Sequence, residues 1–481
     1  MGRLWAGLIA LAYAATAFAP RPGGADPPVG RWVPGDLDVH STYSYDVCSA
    51  PPVPNNCDPD HNGQVAPNQN VGRAPIDLIH DAELRGLAFI AFTDHNTPSK
   101  SQCEKPAFPG PCSAQKDPAV ADYKACHVSN DPEIAKTCPV LVLDGQEKDL
   151  VDDKGFPAGR AGVIGFSGYF PDDPTPANGW SASDVAAKAA DIRNAGGVVA
   201  AFEPTDRVWP WRYDPVTVPL DGFMAWSGSW LDQREVFGPD STDNPRADDA
   251  WQGRVTTLAP LGKKLPLLAS SDVHTIASSA SEGPGMPSLW VYDTVDAPNG
   301  AVTWNGLKDG IQKGHIHVSF TVPSLASHVY LETVGGSIGG DIVPKASNVL
   351  VRVRWDNAPL GSTIRIIGRN GIGPVGEQGQ KTTIGMPGEG DCVPPDTAAD
   401  PATLATWRCN GQSQSIALPF RAGAWYRAEL YVEDAAYPQA FLDAPSRADA
   451  CVNASVWNDA KTCFGDRYLL LALTNPLYSS L

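Results

Sequence analysis

The chain has 481 residues and carries 36 Lys and Arg against 54 Asp and Glu, which gives a formal net charge of −18. Nucleic acids and anionic membranes bind basic surfaces, so this balance excludes both as long-range electrostatic partners. A hydrophobic fraction of 42 % with 14 Trp, 14 Phe and 13 Tyr is enough for a packed core and excludes global disorder.

Residues 1–19 have the pattern of a signal peptide, and both Ala17 and Ala19 are candidates for its last residue. Arg3 precedes an unbroken run of small and apolar residues from Leu4 to Ala19. This run is too short for a comfortable membrane span, and no later stretch approaches the ~20 apolar residues that a span needs. We expect a secreted or periplasmic protein with no membrane segment after signal removal.

The ten cysteines fall into five pairs of close neighbours, which is typical of an exported protein with disulfides. The pairs are Cys48 and Cys57, Cys103 and Cys112, Cys126 and Cys138, Cys392 and Cys409, and Cys451 and Cys463. A zinc site is the alternative, but the sequence has no CxxC pair and the spacings do not suit one. We expect sequential disulfides that pin two Gly/Pro-rich insertions, residues 97–138 and 370–412.

From residue 35 to residue 322, short apolar runs of β type alternate with helix-like segments, which indicates α/β architecture. The predicted strands are Leu37–His40, Leu87–Phe92, Pro139–Asp144, Ala161–Phe166, Val198–Phe202, Gly222–Trp226 and Leu265–Ser270. Helices are predicted over Pro75–Arg85, which starts with a proline, and over Ser181–Ala195, where Ser181 and Asp184 have capping-box spacing.

Residues 325–481 show alternation of apolar and polar residues without a helical period. Val349, Val351, Val353 and Trp355 fall on one face of a strand, as do Tyr426, Ala428, Leu430 and Val432, with Arg427 and Glu429 on the opposite face. This pattern predicts a C-terminal antiparallel β-sandwich domain.

Acidic and histidine side chains follow the ends of the predicted strands, where reactive groups collect in α/β proteins. They are Asp38, His40, Asp46, Asp94, His95, Glu147, Glu203, Asp272 and His274. Residues two apart in an extended segment point to the same side, so Asp38 and His40 can bind one ion, and so can Asp272 and His274. A single pair of this kind is more often a core histidine with a capping Asp, but several pairs at successive strand ends favour a metal site.

Other histidines carry weaker signals. His315 and His317 fall on one face of a predicted strand, Gly314–Phe320, without a nearby carboxylate in the sequence, and His328 lies at the domain junction. We expect structural roles for all three.

The ordered set resembles the polymerase and histidinol phosphatase (PHP) superfamily over residues 35–320. The matching segments are Gly35–Asp46, Phe92–Asn96, Glu147 after Asp144-Gly145, and Ser271–Thr275. Two later segments, Gly306–Phe320 and Leu473–Tyr478, resemble the secreted carbaryl-hydrolase-like branch, which appends a β-domain. The resemblance implies a distorted seven-stranded (βα) TIM-like barrel over residues 35–322, followed by the β-sandwich domain.

The resemblance also implies a polynuclear site. One subsite corresponds to Asp38, His40, Glu147 and Asp272, another to Asp46, His95 and His274, and a third to Glu147 with positions 160 and 203. The family has histidine where this chain has Asp38, Arg160 and Glu203. Asp and Glu can bind metal, whereas the Arg guanidinium offers no lone pair. We therefore expect two divalent ions, or three, of Zn, Mn or Fe.

These residues predict a metal-dependent hydrolase with a small-molecule or phosphoester substrate, in which a metal-activated hydroxide attacks the scissile bond. Asp94 is the predicted proton-handling or His95-orienting residue, and Arg160 would clamp a phosphate or carboxylate oxygen or pair with Glu203. The resemblance favours a phosphoesterase. The alternatives are an ester, amide or carbamate hydrolase, and a catalytically silent barrel that binds a ligand.

Overall fold

The computed structural model describes somewhat more than half of the chain. The described residues are 30–41, 44, 73–95, 126, 130–165, 170, 179–206, 209–228, 244–273, 283–296, 300–320, 323, 326–359, 362–369, 382–385, 392–393, 408–409, 412–433 and 468–481. The predicted signal peptide and most of the two Cys-bearing insertions lie outside these ranges.

Short strands dominate the described part of the chain. The first nine are β1 (Arg31–Val39), β2 (Phe89–Phe92), β3 (Leu141–Val151), β4 (Pro157–Ile164), β5 (Val198–Phe202), β6 (Gly222–Ser227), β7 (Leu267–Ser270), β8 (Ser288–Asp293) and β9 (Ile316–Ser319). The remainder are β10 (His328–Thr333), β11 (Ile342–Val343), β12 (Ala346–Asp356), β13 (Ala358–Pro359), β14 (Ser362–Arg369), β15 (Thr382–Gly385), β16 (Cys392–Val393), β17 (Arg408–Cys409), β18 (Gln412–Phe420), β19 (Trp425–Glu433), β20 (Tyr468–Thr474) and β21 (Leu477–Ser479).

Five α-helices lie within the described ranges. They are α1 (Pro75–Leu84), α2 (Pro132–Ala135), α3 (Ala182–Asn194), α4 (Asn244–Leu258) and α5 (Trp304–Lys313). The two helices expected from the sequence are confirmed: α1 starts with a proline, and α3 has the Ser181 and Asp184 capping box with both reciprocal hydrogen bonds present.

The predicted fold class is wrong. The seven predicted strands correspond to β1–β7, but they belong to a 15-stranded mixed sheet whose main order is β11-β21-β19-β20-β9-β8-β1-β2-β3-β4-β5-β6-β7. This is a large curled sheet with few helices rather than a seven-stranded (βα) barrel with a helix after each strand. Neighbours β1, β2 and β3 are parallel, and so are β5, β6 and β7, whereas β4 is antiparallel to both of its neighbours.

A tight turn explains the antiparallel β4. The Asp152 side chain accepts hydrogen bonds at 2.9 Å from the backbone N–H groups of Lys154 and Phe156, and Gly155 supplies a positive φ of 85°. An Asx turn with a left-handed glycine reverses the chain within a few residues. The chain therefore passes from β3 into β4 as a hairpin, where a barrel of βα units needs a crossover helix.

The C-terminal strands form two layers around a shared core. β10, β12 and β18 make a three-stranded antiparallel sheet, and their buried residues contact those of β14, β19 and β20 in the large sheet. Val351, Val353 and Trp355 of β12 are buried, while Leu350, on the opposite face just before them, is 49 % exposed, so the predicted alternation in this strand is confirmed. The large sheet runs through the predicted domain boundary because β20 pairs with β9. That boundary at residue 325 stays a prediction.

One of the five predicted disulfides lies in the described part of the chain and is confirmed. Cys126 and Cys138 are bonded, with 5.6 Å between their Cα atoms. The backbones of Cys392 and Cys409 face each other across β16 and β17. The other six cysteines lie outside the described residues.

The buried pair formed by His317 of β9 and His328 at the start of β10 predicts a loss of stability in mild acid. Burial lowers the pKa of His328 from 6.5 to about 4 and lowers that of His317 well below its usual value. Between pH 6.5 and about pH 4, His328 is protonated in the unfolded chain but neutral in the folded one. The free energy of unfolding therefore falls as the pH falls through this range. We expect His328 to lower the free energy of unfolding by on the order of 3 kcal/mol across this pH range.

Urea unfolding at pH 7 and pH 4.5 measures this effect. The variant His328→Gln should lose less stability between the two pH values than the unsubstituted protein. His80→Gln, on the exposed face of α1, serves as the control and should behave like the unsubstituted protein. An equal loss in His328→Gln and the control would contradict the prediction.

Candidate metal centre

The carboxyl ends of β1, β2 and β7 lie beside the middle of β3 in the curled sheet. β1, β2 and β3 are neighbours, and the backbone N–H of Glu147 donates to the Thr93 carbonyl at 2.9 Å. Across the curl, the N–H of Asp272 donates to the Asp38 carbonyl at 3.1 Å, and an isolated parallel bridge joins Val39 to Val273. Strands that are distant in sequence therefore bring Asp38, Glu147 and Asp272 to one place.

Five of the predicted metal ligands converge there. The His40 Nε2 atom lies 3.3 Å from Asp38 Oδ1, 3.4 Å from Glu147 Oε2 and 3.2 Å from Asp272 Oδ1. His95 Nε2 lies 3.3 Å from the same Glu147 oxygen. Two groups, His40 with His95 and Glu147, and Asp38 with His40, Glu147 and Asp272, each place their ligand atoms within 4.8 Å of one another and could hold a metal ion.

The cluster carries more negative charge than its own side chains neutralise. Burial and the charge of Glu147 raise the pKa of Asp38 to about 7. Burial also raises the pKa of Glu147, but His95 and His40 outweigh it and bring that pKa below its usual value. Asp38 Oδ2 is buried and makes no hydrogen bond to any described residue. Three carboxylates therefore surround the His40 imidazole, and the Asp38 carboxylate has a buried oxygen without a hydrogen bond. This arrangement fits a divalent cation.

Hydroxyl groups position these ligands. Thr93 Oγ1 donates to Asp38 Oδ1 at 2.5 Å and accepts from the Val39 N–H at 3.2 Å. The hydroxyl of Ser44 lies 3.2 Å from His40 Nδ1 and accepts from the His95 N–H at 2.9 Å. Sequence reasoning missed both roles, although both residues lie inside the motifs that carried the resemblance.

Asp36 is a third group that sequence reasoning missed. It is fully buried, and its carboxylate accepts hydrogen bonds from the backbone N–H groups of Asp38, Ser271 and Gly285 at 3.3, 3.1 and 2.7 Å. Burial raises the pKa of Asp36 in spite of these bonds. Asp36 lies two residues before Asp38 on β1, so the two-residue period of the strand was the signal that could have found it. Through its bond with the Ser271 N–H, Asp36 connects β1 to the segment that contains Asp272.

The Thr93 hydroxyl gives a testable positioning effect. Thr93→Val keeps the shape of the side chain but leaves Asp38 without its hydrogen-bond donor, so we expect metal affinity to fall about 10- to 100-fold. Competition with a chromogenic chelator measures the dissociation constant for Zn²⁺ or Mn²⁺. Thr257→Val, on the exposed face of α4, is the matched control. Equal affinities in the two variants would contradict this positioning role.

Arg160 and Glu203 lie together beside the cluster. Arg160 projects from β4, and its guanidinium contacts Glu203; its Nε lies 3.2 Å from Asp149 Oδ1 and 3.7 Å from Glu147 Oε1, and its Nη2 lies 3.4 Å from Asp206 Oδ2. The sequence left two contacts open for Arg160, a substrate oxygen or Glu203. In the structure Arg160 pairs with Glu203. Glu203 belongs to neither group that could hold a metal ion.

Two of the acidic residues have strained backbones. The φ of Glu203 is 39° and that of Asp272 is 50°, in the left-handed region that residues with a Cβ rarely adopt. Such strain costs about 1–3 kcal/mol per residue and persists where the surrounding structure dictates it, commonly at functional sites. The side chain of Asp272 lies beside His40, and that of Glu203 contacts Arg160.

The other predicted site residues divide into two sets. Asp94 is buried and accepts hydrogen bonds from the Ser41 N–H at 2.6 Å and the Ser41 hydroxyl at 2.9 Å, so it holds the chain that leaves β1. Its predicted proton-handling role stays a prediction, as does the clamping role of Arg160. Asp46 and His274 lie outside the described residues.

Neither a known family nor a curated protein matches this chain in the comparisons made with it. The interpretation of the site therefore rests on its own geometry and on the sequence motifs.

Proposed function

We propose that this protein is a metal-dependent hydrolase, related to the PHP superfamily that its motifs resemble. The observation that carries the proposal is the convergence of Asp38, His40, His95, Glu147 and Asp272 in a buried cluster. These residues would hold a divalent ion, which would supply the acidified water and the polarised phosphoryl or carbonyl oxygen that hydrolysis needs. The chain itself fixes the ligands through Thr93 and Ser44.

Glu147 is central to the proposed number of ions. It belongs to both groups of possible ligands, and a carboxylate can bridge two ions. Arg160 places a permanent positive charge beside Glu147, where the resemblance puts a third ion. We propose two ions, and the mixed carboxylate and imidazole set suits Zn, Mn or Fe.

The substrate class has two candidates. The sequence resemblance supports a phosphoester. A neutral ester, amide or carbamate is the second candidate, because Arg160 is held by Glu203 and faces Asp149 and Asp206, so its charge is compensated by the protein itself. A compensated arginine attracts an anionic substrate weakly.

We also propose that the protein is exported. The Cys126–Cys138 disulfide supports this, since disulfides persist in oxidising compartments. Within the described residues, no helix is long and apolar enough to cross a membrane.

Metal content per chain is the first test. Elemental analysis of mature protein purified without chelator should find one or two Zn, Mn or Fe per chain. The loaded protein is then assayed with 4-nitrophenyl phosphate, 4-nitrophenyl acetate and an aryl N-methylcarbamate, and faster turnover of the phosphate supports the first candidate. Absence of metal after incubation with each ion would overturn the proposal in favour of a catalytically silent ligand-binding protein.

A further inference from the structure

A buried carboxylate without a counter-charge lies beside the metal centre. Asp36 is fully buried on β1, and among the described residues no cationic side chain forms an ion pair with it. Taking an uncompensated carboxylate out of water is costly, so such a group persists where the surrounding donors need it. The hydrogen-bond donors of Asp36 therefore show its role.

One oxygen of Asp36 joins two segments that carry candidate metal ligands. Asp36 Oδ1 accepts from the N–H of Asp38 at 3.3 Å and from the N–H of Ser271 at 3.1 Å. Asp38 is a ligand of the proposed centre, and Ser271 directly precedes another, Asp272. The Asp272 N–H in turn donates to the Asp38 carbonyl at 3.1 Å. These bonds fix the separation of the two ligand segments.

The backbone of Asp272 needs such support. Its φ is 50°, and a left-handed conformation at a residue with a Cβ persists where neighbouring contacts enforce it. The bond from the Ser271 N–H to Asp36 lies directly before this residue. Asp272 Oδ1 lies 3.2 Å from His40 Nε2, so relaxation of the strained backbone would move this carboxylate away from the other ligands.

The other oxygen of Asp36 holds a third segment. Asp36 Oδ2 accepts from the N–H of Gly285 at 2.7 Å. Gly285 has a φ of 79°, and a Cβ there would come within 2.7 Å of the Leu87 side chain, so this donor position requires glycine. A carboxylate accepts at both of its oxygens, whereas an amide has an acceptor at one end and a donor at the other. Asn at position 36 would therefore leave the donors on one side without an acceptor.

We propose that Asp36 is a positioning residue of the metal centre, whose carboxylate fixes the backbones of Asp38 and Ser271 so that the Asp38 and Asp272 side chains stay in one ligand group. The inference rests on the proposed function, because it takes the cluster as a metal site. It adds a residue that belongs to neither ligand group and acts on metal binding through backbone N–H groups.

Asp36→Asn keeps the size of the side chain and should weaken Zn²⁺ binding about 10- to 100-fold, measured by competition with a chromogenic chelator. The visible absorption of bound Co²⁺ should also change, because it reports ligand number and geometry. Asp293→Asn is the matched control. Asp293 is also fully buried and accepts from two backbone N–H groups at 2.9 Å, but it pairs with Arg31 at the start of β1, ~20 Å from Asp38. This control should lose stability and leave both metal measurements unchanged.

Hydrogen exchange of the metal-free protein separates this inference from the proposed function. The amides of Ser271 and Gly285 should exchange slowly in the unsubstituted protein and about 10-fold faster or more in Asp36→Asn, the effect of one lost hydrogen bond. The inference is overturned if these amides exchange quickly in the unsubstituted protein, a result that needs no variant to fold. It is also overturned if Asp36→Asn and Asp293→Asn bind Zn²⁺ with equal affinity. An unsubstituted protein that binds no metal would overturn the proposed function, and with it the role of Asp36 in metal binding, even where the exchange result is as expected.

Discussion

Replacing Glu147 by Gln should remove bound metal and abolish hydrolysis. Glu147 is 1 % exposed and belongs to both groups of possible ligands, and its Oε2 lies within 3.4 Å of the imidazole nitrogens of both His40 and His95. The amide keeps the size of the side chain but removes the charge that a bridging ligand supplies. We expect the metal content to fall from one or two ions per chain to less than about a tenth of that value, consistent with a loss of two or more orders of magnitude in affinity.

Elemental analysis and the ester assays measure this outcome on the same samples. Glu133→Gln is the matched control, since the Glu133 side chain is 81 % exposed on α2 and lies outside the site. Circular dichroism shows whether both variants are folded. Unchanged metal content in folded Glu147→Gln would contradict the assignment of the centre.

Replacing Arg427 by Met should destabilise the fold by about 3–5 kcal/mol, because it leaves two acidic side chains without their counter-charge. Arg427 is 1 % exposed on β19 and donates to both oxygens of Asp248 on α4 at 2.6 Å, and to Glu429 at 2.9 Å. Its guanidinium also lies 5.0 Å from the centre of the Trp251 ring. Urea unfolding at neutral pH measures the change.

Arg352→Met is the control for this substitution. The Arg352 side chain is 42 % exposed and pairs with Glu332 on the neighbouring strand. Exposed ion pairs contribute about 0–1 kcal/mol, so the two variants should differ clearly. Equal urea midpoints in the two variants would show that the contacts of Arg427 with Asp248 and Glu429 do not hold α4 to the large sheet.

Arg427 and Glu429 also mark a limit of the sequence pattern. Alternation along β19 correctly predicted an antiparallel strand with Tyr426, Ala428 and Leu430 buried. It gave no sign that Arg427 and Glu429 on the opposite face are buried as well. Their partner Asp248 lies almost 180 residues earlier in the chain, and periodicity reports local burial and not distant ion pairs.

The prediction of the fold class was wrong for a similar reason. Each of β1–β7 overlaps a predicted strand, because short apolar runs between turn residues are local signals, although β1 begins six residues earlier than predicted. The prediction ended the third strand at Asp144, whereas β3 continues to Val151 through Lys148 and Asp149. That extension brings β3 to the Asp152 turn and makes β4 antiparallel. Pairing direction depends on such connections and on neighbours distant in sequence.

The sequence by itself determined which side chains can form the metal centre. Asp38, His40, His95, Glu147 and Asp272 were identifiable because acidic and imidazole residues follow short apolar runs in the sequence, with Asp38 and His40 two residues apart. Only the tertiary structure decided the continuous curled sheet, the pairing of Arg160 with Glu203 and the bonds of Asp36 to distant backbone groups. Each of these depends on which distant segments pack together. Burial between such segments determines which charges must be paired and which polar atoms need hydrogen-bond partners.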